Sequence, residues 1–143
     1  MQLIPTPRIL IVDDDPAIAN MIEVMLSDRW FQCVTRFSGA QAINAFSHDQ
    51  FDLIITDLNM RAGDGVSFIE TVRRTSQVPV IIVTGFHREY AERMRFLGNI
   101  AVIDKPFDFQ ELLTIIESAL EAGHSGAWRG RNIMTLNKTW TVK

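Results

Sequence analysis

The chain has 143 residues, 47% of them hydrophobic, and a formal net charge of −3, which suits one compact domain with a sizeable core and disfavours a general nucleic-acid binder. Apolar runs such as 9–12 and 80–83 fall well short of the roughly 18 residues that a membrane span requires, and the N-terminus lacks a signal peptide's basic-then-apolar layout, so a cytoplasmic location is expected. The one cysteine, Cys33, cannot form an internal disulfide and lies in an apolar setting that suits a reduced core thiol.

The first predicted strand, 8–13, leads to Asp15, which can cap a helix with Pro16 at its first position, where the missing N–H costs nothing. Ile18, Met21, Ile22 and Met25 recur at helical spacing and predict that helix's apolar face. A second strand at 32–36 precedes a helix capped by Ser38 that buries Ala42, Ile43 and Phe46. A third at 53–57 precedes a helix capped by Asp64 that buries Phe68, Ile69 and Val72. The fourth, 80–84, is followed by a less regular helical stretch over about 88–97. The fifth, 101–104, precedes a helix in which Asp108 and Glu111 match a capping box, with Leu112, Leu113, Ile116 and Leu120 behind them. Strands such as "VPVIIV", rich in Ile and Val without polar alternation, suit a parallel sheet covered on both faces. Alternating βα units therefore predict a doubly wound α/β fold, in which ligands bind beyond the carboxyl ends of the strands.

Strand one ends in Asp13 and Asp14, strand three in Asp57 and strand four in Thr84, and Lys105 follows strand five. Taken singly, each has an ordinary role: an Asp there is a cap or turn former, a Thr or Lys is solvated surface. Together they are more specific. Three acids at adjoining strand ends repel one another unless a cation fills the space between them, and Mg²⁺ suits, because it uses one or two carboxylates and leaves coordination sites for water and phosphate oxygens. Asp57 follows the apolar run "LIIT" and precedes a loop with Gly63 and Gly65, where a carboxylate can attack a phosphoryl group and form an aspartyl phosphate. Asp13 and Asp14 then hold the metal, Thr84 offers a hydroxyl donor to the product, and Lys105 supplies a fixed cation whose charge is needed once the phosphoryl group arrives.

With "IVDDD", "TDLNM", "VIIVTG" and "DKPF" in this order and spacing, the chain resembles the receiver domain of two-component response regulators from about Arg8 to Ala122. The resemblance implies a flavodoxin-like (βα)5 fold, a doubly wound five-stranded parallel sheet of strand order 2-1-3-4-5. It implies that Asp57 is the phosphoacceptor, that Asp14 binds Mg²⁺ directly and Asp13 largely through water, and that the backbone carbonyl of Asn59 completes the metal site. Thr84 becomes the switch hydroxyl and Lys105 the phosphate-binding lysine, with the Lys105-Pro106 bond cis; Asp15 is left as a helix cap. The implied function is a Mg²⁺-dependent phosphorylation switch, an autocatalytic phosphoacceptor rather than a turnover enzyme. It would take its phosphoryl group from a sensor histidine kinase and signal to an effector by conformational change.

The chain departs from the family pattern in two places. The loop after Asp57 has Arg61 where proline is usual and Gly63 where methionine is usual. Val102 stands where many receivers carry an aromatic that swings inward, so output runs either through backbone and fourth-helix shifts or through a different coupling. Two other functions compete. A phosphoaspartate-type phosphatase usually carries a second acid two residues after its nucleophile, and Asn59 at that position disfavours turnover. A pseudo-receiver serving only as a protein-binding platform is opposed by the intact five-residue site. His48, His87 and His124 are scattered without metal-ligand spacing, and the arginine-rich stretch "HREYAERMRF" reads as a solvated helix face rather than a nucleic-acid site.

Residues 123–143 hold four basic and no acidic side chains, a charge of +4, whereas residues 1–122 hold ten basic and seventeen acidic ones, a charge of −7. The receiver is expected to occupy 1–122 and the rest to be a basic tail or linker, joined through Gly123, Gly126 and Gly130. Met134, Leu136, Trp140 and Val142 alternate like a strand and leave open a docking role that favours a homodimer. The tail is too short for a second folded unit, so the effector is expected to be a separate protein or a domain absent from this chain.

Overall fold

A computed structural model of the chain describes residues 6–61, 65–85, 91–94 and 97–123. Strand and helix alternate along them: β1 (Arg8–Val12), α1 (Pro16–Ser27), β2 (Gln32–Arg36), α2 (Gly39–His48), β3 (Leu53–Thr56), α3 (Gly65–Arg73), β4 (Val80–Thr84), α4 (Ala91–Met94), β5 (Ile100–Asp104) and α5 (Phe109–Ala122). The strands form one parallel sheet in the order β2-β1-β3-β4-β5, so the expected doubly wound, flavodoxin-like architecture is the observed one. Every residue of β3 and β4 is buried, which explains their unbroken apolar runs: helices cover both faces of the inner strands. The pleat sends alternate side chains to opposite faces. Leu10, Ile54 and Ile82 pack with Phe68 and Ile69 of α3 on one side, while Ile9, Ile55 and Ile81 pack with Ile22 of α1 and Leu112 and Ile116 of α5 on the other.

Local hydrogen bonds start the helices where the sequence marks them. Asp15 accepts from the Ala17 N–H, with Pro16 in the first turn. Ser38 Oγ accepts from Gln41 N at 3.1 Å, and Gln41 Oε1 reaches back to Phe37 N at 3.0 Å. Asp108 accepts from Gln110 N at 2.9 Å, one residue before the Glu111 that the capping-box spacing singled out. The expected Asp64 cap lies outside the described residues, as does part of the 88–97 stretch from which α4 emerges.

The buried stripe of α1 differs from the expected one. It consists of Ala19, Ile22 and Leu26, while Met21 is 41% exposed. Both stripes have helical spacing and share Ile22, and the expected Ile18 packs partly buried against the same core; the small Ala19 lets the helix lie close to the sheet on that side, which turns Met21 outward.

Arg73, at the end of α3, fixes the approach to β5. Its guanidinium donates to the carbonyl oxygens of Ser76, Leu97, Gly98 and Asn99 at 3.0–3.2 Å. Burial pushes its pKa down to about 10, which leaves it charged at neutral pH. The side chain thereby satisfies a cluster of carbonyls around Asn99, a wholly buried residue in the left-handed region with φ of 56°.

Candidate functional site

All strands of a parallel sheet point their carboxyl ends to one rim, so residues distant in sequence meet there. Two backbone bonds extend the ladder just past the strands: Asp57 N donates to Val12 O at 3.0 Å and Lys105 N donates to Thr84 O at 3.1 Å. They set Asp57 beside the end of β1 and Lys105 beside the end of β4. Lys105 Nζ then lies 3.0 Å from Asp13 Oδ2 and 2.9 Å from Asp57 Oδ2. The other oxygens of this pair are also held. Asp13 Oδ1 accepts from Asp15 N at 2.9 Å, and Asp57 Oδ1 accepts from Leu58 N at 2.7 Å and Asn59 N at 3.3 Å. Asp13 and Asp57 are buried and Thr84, the last residue of β4, is wholly so. The Lys105-Pro106 bond is cis, as the resemblance implied.

Asp14 takes another direction. Its Oδ2 accepts from Arg61 N at 2.9 Å and Arg61 Nε at 3.2 Å, and its carbonyl accepts from the Arg61 guanidinium at 3.5 Å. The structure thus joins Asp13, Asp57 and Lys105, sets Thr84 on the neighbouring strand end, and turns Asp14 to the start of the β3–α3 loop. Asn59 is exposed beside Asp57.

Lys105 is engaged already, without any phosphoryl group. That corrects the expectation that its charge is needed only on phosphorylation: two buried carboxylates at one rim are costly without a cation between them, and the lysine supplies it.

By chemistry the donor set fits a hard divalent cation, with three carboxylates and a backbone carbonyl at Asn59 as oxygen ligands. Among the described residues, however, no three acidic or histidine side chains are gathered tightly enough to hold an ion as they stand. Lys105 occupies two of the carboxylates and Arg61 the third.

The electrostatics have a definite sign. Burial opposes the charge on Lys105, but hydrogen bonds to Asp57 and Asp13 outweigh it and raise its pKa above the ordinary 10.5. Its contribution to stability is therefore complete below 10.5 and is lost as pH rises through the higher folded value. Asp13 is raised by burial, against the bonds from Asp15 and Lys105, so its ionised form costs stability at neutral pH and that cost fades as pH falls through its raised pKa. Lys105→Ala is expected to lose about 1–3 kcal/mol at pH 7 in chelator, less than for a fully buried pair because the lysine side chain is 23% exposed. Acidification should recover part of that loss as Asp13 protonates. Urea melts across pH measure it, and a deficit that stays constant down to acid pH would contradict the assignment.

Comparison with known proteins adds the family. The model of the response regulator receiver domain matches residues 9–117, and the chain belongs to that family. Curated relatives include the transcriptional regulatory protein CpxR of Escherichia coli K12, 30% identical over 118 residues covering 82% of this chain and 50% of that protein. Another is the regulatory protein VirG of Agrobacterium fabrum, 30% identical over 125 residues covering 86% of this chain and 49% of that protein. The chain spans about half the length of these relatives. Among solved structures, chemotaxis protein CheY4 of Vibrio cholerae superposes with a TM-score of 0.74 at 28% identity, covering 80% of this chain and 99% of that one. TrrA of Thermotoga maritima, in complex with Mg(2+)-BeF, shares the fold with a TM-score of 0.73 at 23% identity, covering 80% of this chain and 99% of that one.

Two site features escaped the reading of the sequence. One is the bond from Arg61 to Asp14, whose sequence signal was the missing proline. The other is Gly65, whose N–H donates to Leu58 O at 2.7 Å and which packs directly on the Asp57 backbone; a glycine eight residues after the acid was the only trace of it.

Proposed function

We propose that this receiver accepts a phosphoryl group on Asp57 from a sensor histidine kinase, in a Mg²⁺-dependent step, and passes the resulting conformational change to a downstream effector. The observation that carries this is Lys105 Nζ lying within 3.0 Å of both Asp57 Oδ2 and Asp13 Oδ2 at the carboxyl rim of the sheet. A carboxylate nucleophile is there paired with a fixed cation and a second acid. In the transfer, an Asp57 oxygen forms the new P–O bond as the bond from phosphorus to the kinase imidazole breaks and the electron pair leaves with the ring. Asp13, Asp14, Asp57 and the carbonyl of Asn59 would hold Mg²⁺, which when bound neutralises the phosphoryl oxygens. Lys105 then shares its three donors between Asp13 and the new group. Thr84, at the end of the adjoining strand, offers its hydroxyl to the phosphoryl group and so favours the active state.

Asn59 disfavours turnover of phosphate esters, since it cannot donate or accept a proton as an acid would. The built Lys105 contacts disfavour a role as a platform alone. Gly123, with φ of 62°, ends α5 by donating to Ala119 O, which supports a receiver unit of residues 1–122 followed by a basic tail or linker; residues 124–143 and their strand-like pattern lie outside the described residues. An effector beyond the receiver fits the greater length of the curated relatives, one of which is named as a transcriptional regulatory protein. Among the described residues no helix is long and apolar enough to cross a membrane.

Incubation with Mg²⁺ and a small-molecule phosphodonor, followed by intact mass, tests the proposal: one phosphoryl adduct per chain is expected. Steady phosphate release from esters would favour the phosphatase instead, and no adduct would leave only a binding platform. Thr84→Ala should still form the adduct, since its hydroxyl is not the nucleophile, but should lose most of the response. Amide hydrogen exchange of phosphorylated wild type and variant reads that response, and equal protection changes in both would remove Thr84 from the switch.

A further inference from the structure

We propose that Arg61 is an internal cation that competes with Mg²⁺ for Asp14, so that the start of the β3–α3 loop sets the receiver's affinity for its metal. The proposal rests on Asp13, Asp14 and Asp57 forming the metal site. Its own basis is geometric. Asp14 Oδ2 accepts two bonds from the same residue, one from Arg61 N at 2.9 Å and one from Arg61 Nε at 3.2 Å. The carboxylate is thereby directed to the loop while Asp13 and Asp57 face Lys105. An ion that draws Asp14 Oδ2 toward Asp13 and Asp57 must take that oxygen from Arg61.

The arginine can yield at small cost. Its side chain is 85% exposed, against 20% for Asp14, so its head can swing into water, where an exposed ion pair holds only weakly. The backbone N–H is less free, because it moves only with the loop. Metal binding and displacement of the loop are therefore linked through one oxygen atom. A proline at this position, the usual residue in the family pattern, has neither the N–H nor the guanidinium and would leave Asp14 unopposed.

Calorimetric titration of the unphosphorylated chain with Mg²⁺ is the test. Arg61→Ala is expected to bind about 2–5-fold more tightly than wild type, the range an exposed ion pair allows. Arg61→Pro, which loses the second donor too, should bind more tightly again, and Arg61→Lys, which keeps the charge, should stay near wild type. The gain in Arg61→Ala should shrink at high ionic strength, as competition between charges does and a packing change does not. Melting curves establish that the variants are folded, and Arg61→Ala alone suffices if Arg61→Pro is not. Unchanged or weaker binding in Arg61→Ala, with Asp14→Ala clearly weakened, overturns the role of Arg61 and leaves the metal site standing. Binding that Asp14→Ala does not weaken overturns the metal site and the proposal together.

Discussion

Asp57→Asn should abolish phosphorylation, leaving no adduct by intact mass under conditions that fully convert the wild type. The amide has the shape of the carboxylate, and its oxygen can still accept from Leu58 N, which lies 2.7 Å from Asp57 Oδ1. The rim should therefore persist. What disappears is the anionic oxygen that attacks phosphorus, and with it one of the two acceptors of Lys105. No neighbouring residue is well placed to substitute. Asp14 is turned toward the loop and Arg61, and Asp13 is the less accessible of the two acids on Lys105, 3% exposed against 8% for Asp57. An adduct of wild-type stoichiometry on the variant would mean that one of these acids is the acceptor, with Asp13 the first to examine because it shares the lysine.

Gly65→Ala should be among the most damaging single-methyl changes in the protein. A Cβ at Gly65 would lie 1.9 Å from the Asp57 carbonyl oxygen, 2.9 Å from its carbon and 3.0 Å from Leu58 Cα. All three are backbone atoms, and no side-chain rotation relieves the overlap. Either the start of α3 moves off the sheet, breaking the 2.7 Å bond from Gly65 N to Leu58 O, or Asp57 shifts from its register with Val12. A loss of about 3 kcal/mol or more is expected, at the upper end for overpacking, together with slower phosphorylation because the nucleophile is displaced. Gly39→Ala is the control. Its added Cβ would meet nothing closer than Phe68 Cβ at 3.9 Å, so alanine's better helix propensity should leave stability level or slightly raised. Denaturant melts of both variants decide the matter: equal small effects would mean that α3 is free to adjust.

The sequence announced the fold through features set by local chemistry. Runs of Ile and Val without polar alternation marked the covered strands, and Asp15, Ser38 and Asp108 marked helix starts because a side-chain oxygen next to a free N–H acts within a few residues. The site was legible for a related reason: a parallel sheet carries the end of every strand to one rim, so Asp13, Asp57, Thr84 and Lys105 needed no knowledge of packing to be grouped. Arrangements that depend on rotation or side-chain direction were hidden. Two equally good helical stripes run along α1, and only docking on the sheet selects Ala19, Ile22 and Leu26 over the one through Met21. Nothing in "VDDD" distinguishes the carboxylate that meets Lys105 from the one that meets Arg61. Nothing in the sequence around Arg73 marks it as the residue that the carbonyls of 97–99 surround.

The bond from Lys105 to Asp13 joins positions 92 residues apart, and the lysine directly follows β5, the strand at the edge of the sheet beyond β4. Closing so long a loop costs chain entropy before the contact returns anything, which makes it a late event in the ordering of the chain. In kinetic terms the lysine is expected to act as a latch on the finished domain, so that Lys105→Ala speeds unfolding more than it slows folding.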